Sequence, residues 1–245
     1  MKSPVPVEPV PPAGLASGAS DPDVIWYVSY GSNMRLDRLA LYIRGGRLPG
    51  TDTVYPGCRD HRMPQRSIPV TLRGAVYFAT WSPVWKGARA FYDPEAPGRT
   101  LARAHLISVA QFSDIVAQEM YREPEPEPEP EADAEAESGG RLDLSGALAH
   151  GRAALGDGRY ETLVCPGHVA GVPAVTFTAP WRMSDVTWRP PSAAYLRHLA
   201  SGLAEAGPWD VDAVAAYLVA CPGAGHWTAP EVAELIRRDQ PVSDG

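Results

Sequence analysis

Lysine, cysteine and long apolar runs are scarce in this chain of 245 residues, and each shortage closes off a class of function. Only Lys2 and Lys86 accompany twenty arginines, and no dense basic stripe carries interleaved aromatics, so no nucleic-acid groove is expected. The three cysteines, Cys58, Cys165 and Cys221, are odd in number and far apart. That argues against a disulfide framework and for a reducing compartment. No CxxC pair occurs and the six histidines show no metal-ligand spacing, so neither a metal nor a cofactor is expected. No apolar run approaches the roughly 20 residues of a membrane span. The N-terminus lacks the apolar core of a signal peptide, so the expected location is the cytoplasm, with no membrane partner.

Excess negative charge is also missing from most of the chain, despite a formal net charge of −7. Of 29 acidic residues, eight lie between Glu123 and Glu137, which leaves 21 against 22 basic ones in the rest. The alternating Glu and Pro of 123–140 favour an extended, self-repelling chain, read as an inert insertion. Residues 1–22 are rich in Pro, Ala, Gly and Ser and read as a tail unable to bury enough apolar surface to order. Between and beyond these, 23–122 and 141–208 read as two parts of one domain, and 209–245 as a C-terminal helical extension.

What is present is an α+β pattern. Strand-length apolar runs occur at Val24–Ser29, 74–79, 88–92, 102–107, 160–165 and 174–178. Residues 34–43 read as a helix through Leu36, Leu39, Ala40 and Ile43. Ser108 and Gln111 form a capping-box pattern opening a helix that reaches Glu119. A modest amphipathic helix is read over 142–155. Ser192, Asp210 and Thr228 cap three more, with Gly207 stopping the first. A mixed or antiparallel, curled sheet with flanking helices follows.

One segment points to chemistry. Val24–Ser29 delivers the chain into Tyr30, Gly31, Ser32, Asn33 and Met34, then into a helix. Such a turn aims backbone N–H groups at one spot, suited to a small anion such as a carboxylate. Gly31 removes a Cβ that would block a ligand or forbid a positive φ, and Ser32 or Asn33 is placed to cap the helix. The same string is an ordinary helix-initiating turn.

The string resembles the YGSN loop of the gamma-glutamylcyclotransferase-like family, and further motifs follow in that family's order. Ser82-Pro83-Val84-Trp85-Lys86-Gly87-Ala88 leads into Ala90-Phe91-Tyr92-Asp93-Pro94, with Lys86 and Ala88 where glycine is usual. Glu119 closes the helix that begins at Val109. Gly158-Arg159-Tyr160 comes about forty residues later, across the acidic insertion. Pro190-Pro191-Ser192 then opens a helix carrying Tyr195. The match covers 24–122 and 158–206.

The resemblance implies a small curled sheet or barrel of about six strands, and an enzyme acting on a γ-glutamyl amine or peptide. In that reaction the α-amine attacks the γ-carbonyl, releasing 5-oxoproline and a free amine, and no metal is required. It implies Glu119 as general base and acid. It also implies a substrate cradle of Tyr30, Gly31, Ser32, Asn33 and Met34, flanked by Trp85, Gly87 and Tyr160. The only partner it implies is the small γ-glutamyl substrate, whose leaving amine the motifs do not define. Glu119 suits the base role physically, since the negative end of a helix dipole raises a carboxyl pKa. Ser32 lacks a GxSxG elbow and is read as a donor, not a nucleophile. Arg59, Arg62 and Arg66 are read as a solvated loop, Cys58 as the more exposed cysteine, and Cys165 and Cys221 as buried. The departures at Lys86 and Ala88, the insertion and the extra C-terminal helices motivate a second class, a ligand-binding or scaffolding module that keeps the fold without catalysis.

Overall fold

A seven-stranded open sheet, assembled from both halves of the sequence, brings residue 30 and residue 119 to the same place. The computed structural model describes residues 3–8, 22–120 and 141–239. In chain order these hold β1 (Val5–Pro6), β2 (Val24–Ser29), α1 (Leu36–Arg44), β3 (Gly46–Arg47), β4 (Val54–Tyr55), β5 (Arg66–Arg73), β6 (Ala75–Ser82), β7 (Gly87–Asp93) and β8 (Arg99–Ser108). There follow α2 (Val109–Glu119), α3 (Ser145–His150), β9 (Arg152–Ala154), β10 (Thr162–Val169), β11 (Val172–Thr178), α4 (Ala193–Ala206), α5 (Val211–Ala220) and α6 (Ala229–Asp239). The main sheet runs β1-β5-β8-β2-β11-β10-β9, with β3-β4 and β6-β7 as separate two-stranded sheets. It is mixed: β2 is antiparallel to β8 and parallel to β11. Among the described residues no helix is long and apolar enough to cross a membrane.

The alternation of β2 explains why it sits at the centre. Ile25 and Tyr27 enter one core with α1, α2 and Phe177, while Trp26 and Val28 enter another with α4, α5 and α6. A strand covered on both faces reads as a continuous apolar run, as this one does. α2 follows β8 without a loop. Ser108 accepts from the Gln111 N–H and the Gln111 side chain accepts from the Ser108 N–H, the expected capping box. Ser192 and Asp210 cap α4 and α5, Thr228 and Glu231 exchange bonds ahead of α6, and Gly207 closes α4 in the left-handed region.

Several expectations are corrected. Residues 3–8 are not a free tail: Val5 and Pro6 pair with β5, Glu8 bridges to His168, and Val7 is buried. Residues 66–73, read as starting in a loop, are a strand that Pro69 disguised. Pro69 is tolerated because, among the described residues, β1 reaches only Val70 and Thr71, which leaves β5 an edge strand there. The helix over 142–155 shrinks to α3, ended by left-handed Gly151, and the rest pairs with β10 as β9. α5 and α6 are not an appendage, because Val214, Leu218, Val232 and Ile236 share a core with Trp26 and Val28. Cys58 is buried, its thiol directed at the carbonyls of Tyr42 and Gln111, and burial raises its pKa. The acidic 123–140 segment lies outside the described residues.

Candidate active site

The loop after β2 is held from three sides. His105, fully buried, faces Tyr27 across the β2-β8 pair and sits 3.1 Å from the Asn33 carbonyl through Nε2. The carbonyl accepts, so Nε2 carries the proton and Nδ1 accepts from the Ser67 hydroxyl at 2.8 Å. Burial lowers the His105 pKa to about 3, which keeps the ring neutral in this role. Arg103 donates to the Met34 carbonyl at 3.0 Å and pairs with Glu205 of α4. Gly202 of α4 leaves room for Met34, since a Cβ there would stand 2.8 Å from the Met34 Cβ.

The loop's local form differs from the expected cap. Ser32–Met34 make a single 3-10 turn, α1 starts only at Leu36, and neither Ser32 nor Asn33 caps with its side chain. Gly31 has φ −109°, so no positive φ demands glycine, and an added Cβ would be 3.6 Å from the Tyr195 hydroxyl. The turn uses the N–H groups of Met34 and Arg35 internally. Those at the turn's start have no intrahelical partner and remain for other acceptors.

Asn33 turns inward instead. Its Nδ2 donates to the Tyr27 hydroxyl at 3.2 Å and to Glu119 Oε1 at 3.4 Å. Glu119, the last residue of α2, is half-buried, its accessible part opening on a pocket it shares with Asn33. Loss of water around the carboxyl raises its pKa above the ordinary carboxylate value. The Tyr42 hydroxyl and the guanidinium groups of Arg38, Arg159 and Arg89 oppose this without cancelling it. Arg159 also donates to the Glu119 main-chain carbonyl at 2.7 Å, tying the end of α2 to the 158–160 segment.

The pocket contains about 690 Å³ of space, counted out to its open mouth. Tyr30, Gly31, Ser32, Asn33, Trp85, Glu119 and Tyr160 all line it. Two expected cradle residues do not. Met34 is buried in the core beside Gly202, and Gly87 faces the start of α4, where an added Cβ would lie 2.4 Å from the Ser192 nitrogen. Gly87 therefore serves packing: it lets the 82–88 turn dock where Ala88 N–H meets the Pro190 carbonyl and Ser192 Oγ meets the Trp85 carbonyl. Gly87→Ala is expected to cost about 1–3 kcal/mol by overpacking, read as a lower midpoint in urea; an unchanged midpoint contradicts this role. Lys86 adopts φ +51°, a left-handed conformation costly for a side-chain-bearing residue, at the position where glycine is usual.

The hydroxyls of Tyr160 and Tyr30 already have partners. Tyr160 donates to the Ala90 carbonyl at 3.0 Å and Tyr30 to the Phe177 carbonyl at 2.8 Å. The arginines singled out in the sequence lie elsewhere: Arg59 pairs with Asp114, Arg62 with Asp60, and Arg66 stacks on Trp26. Arg38, Arg89 and Arg159 line the pocket instead. The one sequence signal for Arg38 was Tyr42 four residues on, which places both on one helix face. No cluster of three metal-ligating side chains occurs among the described residues.

No family model matches the chain. It is 28% identical over 206 residues to a protein of Arabidopsis thaliana described as Histone deacetylase 5, the match taking in 79% of this chain and 30% of that one. The chain thus spans under a third of that relative's length. Among solved structures it is similar to one described as a gamma-glutamyl cyclotransferase, at a TM-score of 0.45 and 12% identity, over 88% of this chain and 99% of the other. An uncharacterised protein of Homo sapiens gives a TM-score of 0.45 at 13% identity over the same shares.

Proposed function

We propose that this protein is a cyclotransferase that cleaves γ-glutamyl amides by internal attack, releasing 5-oxoproline. One observation carries the reading: the desolvated Glu119 carboxyl meets the 30–34 loop, through Asn33, inside one pocket. The loop and the glutamate are the two motif elements that the family resemblance assigns to substrate and proton.

The chemistry follows from that pairing. Glu119, ionised, takes a proton from the substrate α-ammonium. The freed amine forms a C–N bond to the γ-carbon, and the γ-carbonyl becomes an oxyanion that N–H donors of the loop stabilise. As the intermediate collapses, the original amide C–N bond breaks. Across the cycle the α-nitrogen gives up two protons and the leaving nitrogen gains two, with Glu119 as relay. Because nucleophile and carbonyl belong to one molecule, orientation supplies much of the rate.

The raised pKa has a kinetic signature. Glu119 must be ionised to act, so kcat/KM falls as pH drops through its pKa. That acidic limb is expected above the ordinary carboxylate value of 4.5. A rate profile on a turned-over γ-glutamyl compound checks this, and a limb at or below 4.5 speaks against Glu119. A panel of γ-glutamyl compounds with different leaving amines, scored for 5-oxoproline, tests the reaction itself; no release from any of them rejects it.

A further inference from the structure

Arg38 is a buried cation that makes no direct ion pair with a carboxylate among the described residues, Glu119 reaching it only through space and through a shared hydroxyl. Its residue is 3% exposed. Nη2 donates to the hydroxyls of Tyr55 and, at 3.4 Å, Tyr42. The guanidinium carbon lies 4.5 Å from the ring centroid of Tyr55, 4.9 Å from that of Tyr42 and 5.7 Å from that of Trp85. Nε and Nη1 have no hydrogen-bond partner among the described residues, and no carboxylate there forms an ion pair with the side chain. A buried charged donor left unsatisfied is costly, and a ligand anion removes that cost. The other two pocket arginines are engaged: Arg89 on Thr80 and the Trp81 carbonyl, Arg159 on the Glu119 carbonyl.

The acceptors lie close by. Tyr42 donates its hydroxyl to Glu119 and accepts from Arg38, so the cation and the carboxylate share one hydroxyl. Asn33 Oδ1 and Gln118 Oε1, both on pocket-lining residues, also have no hydrogen-bond partner among the described residues. For Gln118 the orientation is settled by Nε2, which faces the carbonyls of Tyr42, Gly57 and Asp114. Unmatched donors on Arg38 and unmatched acceptors on Asn33 and Gln118, all residues lining one pocket, fit a head with an ammonium and a carboxylate on a single carbon.

We propose that Arg38 is the specificity residue for a free α-carboxylate, so that the pocket admits zwitterionic α-amino-acid heads and rejects α-amides and α-esters. The proposal rests on reading the pocket as a γ-glutamyl site and adds which end of the glutamyl group each side of it holds. Calorimetric titration of the full chain with 5-oxoproline and with 5-oxoprolinamide tests it. Wild type is expected to bind the acid at least about tenfold tighter, as loss of a charged hydrogen bond implies. Arg38→Met should bring the acid down to the amide's affinity and leave the amide unchanged, whereas Arg38→Lys should keep part of the preference. Equal binding of acid and amide by wild type overturns the proposal without any variant, as does failure of wild type to bind either. An acid preference that survives in Arg38→Met overturns it too. The reaction is judged apart from this. An Arg38-dependent preference with no 5-oxoproline release from any γ-glutamyl compound keeps the carboxylate receptor and removes the cyclotransferase. Equal release from α-carboxylate and α-carboxamide substrates does the reverse.

Discussion

Glu119→Gln is expected to lower kcat/KM for 5-oxoproline release by about 10²–10⁴-fold, the range lost with a positioned acid–base group. The amide keeps the shape, and its oxygen still accepts from Asn33 and Tyr42, so the change removes proton transfer and little else. The same change is expected to make the protein more stable at neutral pH. Burial raises the folded-state pKa of Glu119, so the folded state is penalised once the group is ionised. Below the ordinary carboxylate value both states are protonated and the penalty is absent. It grows as pH rises through that value and is complete above the folded pKa. The gain in Tm of Glu119→Gln over wild type is therefore expected at pH 7 and lost toward pH 3. A variant with wild-type turnover, or one less stable than wild type at pH 7, contradicts this account of the residue.

Phe112→Ala is expected to destabilise the fold by about 3–5 kcal/mol, the usual cost of emptying a buried aromatic site. Phe112 is fully buried, with its ring centroid 5.6 Å from that of Tyr27 and 6.0 Å from that of Phe177. It is the wedge between α2, which carries Glu119, and β2, which carries the loop. Urea unfolding should show a lower midpoint with an unchanged slope. The activity of the remaining folded fraction should also fall, because Tyr27 supports Asn33. A loss below about 1 kcal/mol means the site collapses around the cavity and that the packing argument is wrong.

Features carried by near-neighbour chemistry were legible in the sequence. Ser108 with Gln111, Ser192, Asp210 and Thr228 announced four helix starts because a cap is a bond between residues three apart. β2 was legible because both its faces are covered. Glu119 could be located from its motif, but its desolvation could not, since that depends on Arg159, Tyr42 and Asn33 arriving from elsewhere in the chain. Arg38 was hidden for the same reason. On a helix whose apolar stripe is Leu36, Leu39 and Ile43, an arginine looks solvated, and it is Tyr55 and Trp85, brought over by β4 and the β6-β7 turn, that join Tyr42 in covering it. β1 was obscured by a Pro-rich context, because its two paired residues draw their order from β5 and not from local propensity.

The most direct test of the central claim follows the α-nitrogen. A γ-glutamyl compound that the protein turns over, labelled with ¹⁵N at its α-amine, is incubated with wild type and the products are read by mass spectrometry. Internal attack predicts 5-oxoproline with the label in its ring nitrogen, beside an unlabelled free amine, and a rate that collapses in Glu119→Gln. Labelled free glutamate as the enzymatic product would mean that water, not the α-amine, attacks the γ-carbonyl, and would contradict the account.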